Sequence, residues 1–94
     1  MPNEAMNESN SAGLDMHSAI ISLREKLEAI DSYNRRADTC FDHELKSIIE
    51  HNCNEEKEHA AMLLEWIRRH DTHFSGELKN FLFTDKPIGQ HPSK

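Results

Sequence analysis

The chain has 94 residues, a mass of 10.9 kDa, 36% apolar and 30% charged residues, and a formal net charge of −6. Its length allows one domain at most, and helix formers outnumber β-branched and aromatic residues, which predicts an all-α, soluble and oligomeric protein. The acidic balance disfavours nucleic-acid binding, which needs a basic face, and no apolar run approaches the roughly 20 residues of a membrane span.

Residues 1–13 are polar and poor in apolar side chains, which predicts a disordered arm. They contain no basic segment followed by an apolar stretch, so neither a signal peptide nor an anchor is expected. From Leu14 onward, apolar residues recur at alternating spacings of four and three, which predicts an amphipathic helix over residues 14–37. The members of this stripe are Met16, Ile20, Leu23, Leu27 and Ile30.

A second helix is predicted over residues 43–71 and a third over residues 75–83. Asp42 and Ser75 are the expected N-caps, because their side-chain oxygens can accept hydrogen bonds from the first turn of each helix. The short connection makes the first two helices antiparallel neighbours. Residues 84–94 are expected to form an irregular tail.

The core-facing stripe of the second helix is apolar at its ends and polar in its middle. Glu56 and His59 lie one helical turn apart in that middle, so a carboxylate oxygen and a ring nitrogen can meet one metal ion. An interhelical salt bridge or a polar layer that sets the helix register is the alternative. The positions of the stripe are Leu45, Ile49, Asn52, Glu56, His59, Leu63 and Trp66.

A di-iron carboxylate bundle takes one Glu from each of two helices and a Glu-x-x-His from each of the other two. This chain supplies at most half of these metal ligands. A bound metal therefore requires a two-fold dimer that completes both the site and a four-helix bundle.

Three segments resemble the encapsulated ferritins, which are small ferritin-like proteins housed in encapsulin compartments: LEAIDSYNRRAD (27–38), HNCNEEKEHAAMLLEWIRRHD (51–71) and FLFTDKPI (81–88). The resemblance implies two long antiparallel helices plus a short third, dimers that complete a ferritin-like core, and assembly of such dimers into an annular decamer of ten chains. It implies oxidation of Fe(II) by O₂ at the dimer interface, with iron stored inside an encapsulin shell. Family members usually continue into a linker and a shell-docking peptide, whereas this chain stops at Lys94.

Residue by residue, Glu56 and His59 match the family's main metal ligands. Tyr33 matches a tyrosine near the metal centre, with ordinary interface packing as the alternative. Glu25 and Glu28 match a secondary cation site at the entrance to the main one, and solvated surface charge is their alternative.

Two positions depart from the family pattern. Lys26 stands where the family has the glutamate that bridges the two irons, and Ser32 stands where it has a tryptophan. The lysine changes the charge of each dimer site by about four units. Two hypotheses follow: a site for iron or another divalent ion made by Glu56 and His59 of two subunits, or a non-catalytic bundle in which Lys26 salt-bridges Glu56 across the dimer.

The remaining histidines and the cysteines suggest no second site. An oxygen carrier of the hemerythrin kind would need several inward-facing histidines, and those outside the stripe do not supply them: His17, His43, His51, His70, His73 and His91. Cys40 and Cys53 form no CxxC motif, which favours packing roles in a reduced, cytoplasmic setting.

Overall fold

The structure is a computed structural model that describes residues 4–90, with side chains described for residues 11–89. Its helices are α1 (Glu4–Asp38), α2 (His43–His70) and α3 (Thr72–Phe81), followed by one 3₁₀ turn (Ile88–Gln90). No strand occurs within this part of the chain, so the all-α class with two long helices and a short third is confirmed. None of these helices combines the length and the apolar character that a bilayer span requires.

The first helix is longer than predicted. It begins at Glu4 rather than near Leu14, so the expected arm is helical over residues 4–13, and residues 1–3 lie outside the described range. Once a helix is nucleated, each added residue costs little, and Glu4, Ala5 and Met6 are good helix formers. Acidic residues near a helix N-terminus also interact favourably with its macrodipole.

The turn between α1 and α2 is short and capped as predicted. Thr39 and Cys40 donate backbone hydrogen bonds of 3.3 Å that close the last turn of α1. The Oδ1 atom of Asp42 accepts a hydrogen bond of 2.8 Å from the backbone N–H of Leu45, which confirms Asp42 as the N-cap of α2.

The contacts between α1 and α2 establish that the two helices are antiparallel. Cys53 Sγ of α2 lies 3.7 Å from the carbonyl oxygen of Ile30, whereas Glu56, one turn further along α2, contacts Lys26, one turn earlier in α1. Residue numbers therefore rise along α2 where they fall along α1, so the two helices run in opposite directions.

The buried seam of this hairpin consists mainly of small side chains. Cys53, Ala60 and Ile67 recur every seven residues along α2. The small side chains of the seam let the backbones of the two helices approach closely. The stripe predicted for α2 instead flanks this seam: most of its members are half-buried, and Leu45 is 50% exposed. The seam residues are Ala19, Ala37, Cys53, Ala60 and Ile67.

The chain forms a single layer of helices. Its extents are 56 × 44 × 14 Å, and 14 Å is little more than the diameter of one helix. The radius of gyration is 18.1 Å, compared with about 12 Å for a compact chain of this length. The accessible surface is 7747 Å², compared with about 5,600 Å² for a compact monomer of this mass.

The third helix begins earlier than predicted and has a different cap. Asp71 alone separates α2 from α3, and its Oδ1 accepts a 2.8 Å hydrogen bond from Phe74 N, so Asp71 and not Ser75 is the N-cap. Ser75 lies inside α3, where its hydroxyl accepts a 3.3 Å hydrogen bond from Arg68. The helix ends at Phe81, and residues 91–94 of the predicted tail lie outside the described range.

Candidate metal centre

Glu56 and His59 lie together on one face of α2, as their spacing predicts. His59 Nδ1 is 2.8 Å from Glu56 Oε1, within hydrogen-bond distance. Glu56 is the more enclosed of the two, with 19% of its side chain exposed against 44% for His59. The centre is therefore open on the side that faces away from the hairpin seam.

Lys26 of α1 contacts the same carboxylate. Its Nζ atom is 3.5 Å from Glu56 Oε1, so the oxygen that faces His59 also faces an ammonium group. The contact is made within one chain, whereas the predicted ion pair was one across a dimer. The antiparallel register explains the difference, because it brings residue 26 directly opposite residue 56.

These neighbours keep Glu56 ionised. The hydrogen bond with His59 is the main reason that the pKa of Glu56 lies below its ordinary value of 4.5. The charge of Lys26 and its hydrogen bond lower the pKa further, whereas partial burial acts in the opposite direction. At neutral pH the centre therefore presents a carboxylate and not a carboxylic acid.

The donors of the centre suit a divalent transition metal, with one exception. A carboxylate oxygen and an imidazole nitrogen are both common ligands of iron and similar ions. The ammonium of Lys26 has no lone pair to donate and repels a cation. Among the described residues of one chain, no three His, Cys, Asp or Glu side chains converge, so a complete ligand set needs donors from elsewhere.

Tyr33 lies on the same face of α1 as Lys26. Seven residues correspond to nearly two full turns, which places Tyr33 about 10 Å further along the helix. The side chain is half-buried, and the guanidinium carbon of Arg36 lies 5.5 Å from its ring centroid. This arrangement fixes one side of the ring through a cation–π contact.

Glu25 and Glu28 are exposed residues of α1 that lie one turn apart. Glu28 forms a 3.4 Å ion pair with Arg24, in the same helix. The structure does not bring either carboxylate into a cluster with Glu56 and His59.

Comparison with known proteins decides the family. The sequence profile of the EncFtn-like family matches residues 2–85, which is most of the chain. The chain belongs to the EncFtn-like family.

Curated and solved relatives agree with this assignment. A protein of Rhodospirillum rubrum named encapsulated ferritin-like protein is 51% identical over 75 residues, which are 80% of this chain and 54% of that protein. A ferritin-like protein of Thermotoga maritima is 45% identical over 85 residues, 90% of this chain and 75% of that protein. A crystal structure of a Nitrosomonas europaea protein, 67% identical, superposes with a TM-score of 0.80 over 81% of this chain and 84% of that one.

The EncFtn-like chain is accordingly a ferritin-like protein, and its hairpin is half of a ferritin-like bundle. It spans about half the length of the Rhodospirillum rubrum relative.

One cluster of this EncFtn-like chain escaped the sequence analysis. Glu65 accepts hydrogen bonds of 2.6 and 2.7 Å from Arg68 and of 2.7 Å from Arg69, and these guanidinium groups lower the pKa of Glu65 to about 2. Arg68 also donates a hydrogen bond to the hydroxyl of Ser75, so the cluster connects α3 to α2. Arg68 and Arg69 follow Glu65 by three and four residues, and this spacing is the sequence signal that could have identified the cluster.

A second feature is the exposure of the apolar surface on either side of Glu56 and His59; the predicted stripe contained Leu45 and Trp66 but not Ile48 and Met62. Leu45, Ile48 and Met62 are 50%, 57% and 64% exposed, and they follow the same three- and four-residue spacing as the polar pair. Trp66 continues this face and stacks on His70, with ring centroids 3.9 Å apart. The polar centre is thus flanked by apolar surface that one chain leaves uncovered.

Proposed function

We propose that two copies of the chain pair through this face of α2 and bind one divalent ion, in the first place iron, between Glu56 and His59 of each copy. The observation that carries the proposal is the 2.8 Å contact between Glu56 Oε1 and His59 Nδ1. Two such pairs supply two carboxylates and two imidazoles, a donor set suited to iron.

The single-layer shape supports pairing with a second copy of the chain. Domains are built from at least two packed layers, and this chain has one. Its accessible surface exceeds that of a compact monomer by about 2,000 Å², which is more than the roughly 800 Å² that each partner buries in a standard interface. Pairing completes the four-helix bundle and covers Leu45, Ile48 and Met62.

In this proposal iron is the substrate, and its exchange of electrons with O₂ belongs to the metal. Glu56 supplies negative charge and His59 a ring nitrogen. Tyr33 lies near the centre, and Glu25 and Glu28 form a secondary cation site on the approach to it. Because Lys26 replaces a bridging carboxylate, the residues fit one ion per pair better than two.

Metal titration tests the proposal. Isothermal titration of the chelator-treated protein with Co²⁺ is expected to give one ion per two chains. The double variant Glu56→Gln/His59→Ala is expected to lose this binding, while Glu50→Gln, an exposed glutamate of the same helix, retains it. The absence of any stoichiometric binding in the wild type would overturn the proposed metal site.

A second function is favoured by the Lys26–Glu56 contact of 3.5 Å. In it, the ion pair takes the place of the metal, and the protein is a non-catalytic bundle that acts as a scaffold or interaction module. Fe(II) oxidation in air, followed by absorbance, separates the two functions. Ferroxidase activity that appears only in Lys26→Glu supports the second function, and protein-dependent oxidation by the wild type excludes it.

Membership of the EncFtn-like family supports a wider assembly. We propose that pairs associate into a ring of ten chains and that the protein resides in the cytoplasm within an encapsulin shell, as the name of the Rhodospirillum rubrum relative suggests for that protein. Light scattering coupled to size exclusion measures the ring. Co-purification from the native host, with an encapsulin shell protein identified by mass spectrometry, tests the compartment.

A further inference from the structure

We infer that Lys26 is a built-in counter-ion that lets two copies pair without a metal, so that this centre is assembled before any ion arrives. The inference rests on the proposed pairing of two chains through the Glu56 face. It adds that the number of divalent ions that pairing requires is set by residue 26.

Pairing brings two like charges together. Each copy contributes the Glu56 carboxylate, and only 19% of that side chain is exposed before pairing. Two carboxylates enclosed at a two-fold axis repel each other more strongly than in water, because the surrounding protein screens less.

Lys26 removes this repulsion from within each chain. Its Nζ atom lies 3.5 Å from Glu56 Oε1, so every copy carries its own positive charge into the interface. The charges of the two Glu56 and two Lys26 side chains of a pair sum to zero. No other Lys or Arg contacts Glu56 among the ion pairs of the described residues.

Substitutions at position 26 change this sum in steps of two charges per pair. Gln leaves a net charge of −2, which one divalent ion neutralises. Glu leaves −4, which requires two ions. The wild type, Lys26→Gln and Lys26→Glu are therefore expected to need zero, one and two divalent ions per pair, respectively.

A divalent ion that enters the wild-type centre has to displace the ammonium groups from Glu56. Lys26 thus selects against weakly bound cations, and its removal is expected to raise the affinity of the centre for Co²⁺ at least tenfold. This gain distinguishes a counter-ion from a residue that only packs against α2.

Sedimentation velocity of the full chain, in EDTA and in excess Co²⁺, tests the inference. The wild type is expected to have the same dissociation constant in both buffers, within about twofold. Lys26→Gln and Lys26→Glu are expected to dissociate at least tenfold more readily in EDTA and to re-form pairs in Co²⁺. The matched control is Lys57→Gln, an exposed lysine of α2, which is expected to behave as the wild type.

The wild-type measurement alone can overturn the inference, since it needs no variant to fold. Wild-type chains that are monomeric in EDTA and paired only in Co²⁺ contradict the counter-ion role but leave the proposed pairing intact. Chains that remain monomeric in both buffers contradict the pairing itself, and the inference with it.

Discussion

Ile48 provides a quantitative test of the face through which two copies are proposed to pair. The substitution Ile48→Gln replaces an apolar side chain that is 57% exposed in one chain. Gln forms helices at least as well as Ile, so α2 itself is expected to remain intact.

The size of the effect follows from the exposed fraction. Full burial of an Ile side chain contributes about 1.5–3 kcal/mol, so burial of the remaining 57% contributes roughly 0.9–1.7 kcal/mol in each chain. A two-fold pair contains the residue twice, which gives about 2–3 kcal/mol. The dissociation constant of the pair is therefore expected to rise about 30–150-fold.

Sedimentation equilibrium over a range of protein concentrations measures this constant. Ile88→Gln is the matched control, because Ile88 is 77% exposed and lies outside the three α-helices. A dissociation constant that changes less than threefold in Ile48→Gln would refute the placement of the interface on this face.

Three further substitutions test the fold and the charge network. Asp42→Ala removes the N-cap of α2 and is expected to lower the free energy of unfolding by about 1 kcal/mol, measured by urea denaturation at fixed protein concentration. Ile67→Ala, at a side chain that is 1% exposed, is expected to cost about 2–5 kcal/mol in the same assay. Glu65 has a pKa of about 2 in the folded chain against 4.5 ordinarily, so its stabilisation is complete above pH 4.5 and is lost as the pH falls toward 2. The difference in stability between wild type and Glu65→Gln is expected to shrink across that window, and a difference that stays constant contradicts the assignment.

The fold was largely predictable because the strongest sequence signals were local ones. Asp42 marked the start of α2, and the absence of Gly and Pro from residues 43–70 marked its extent. The start of α1 was not predictable from its apolar stripe, because residues 4–13 are helical without belonging to that stripe. The cap of α3 was predicted as Ser75 and is Asp71, because the predicted second helix was extended through residue 71 and Asp71 was therefore counted as part of it.

The candidate centre was predictable in its members but not in its packing. Helical periodicity placed Glu56 and His59 on one core-facing stripe, but it did not separate the seam within one chain from the face that is left for a second copy. In the structure, small residues such as Cys53 and Ala60 form the intrachain seam, and Glu56 lies beside it. A hydrophobic stripe does not reveal which partner helix will cover it. The opposition of residues 26 and 56 likewise depends on the register of two helices.

The junction between α2 and α3 limits how the length of this chain can vary. Asp71 is both the C-cap of α2 and the N-cap of α3, so no other residue lies between the two helices. One inserted residue would turn the face of α3 by about 100° about its axis and withdraw Ser75 from Arg68. Insertions and deletions are therefore expected to be tolerated in the segment after Phe81 and excluded from residues 70–72.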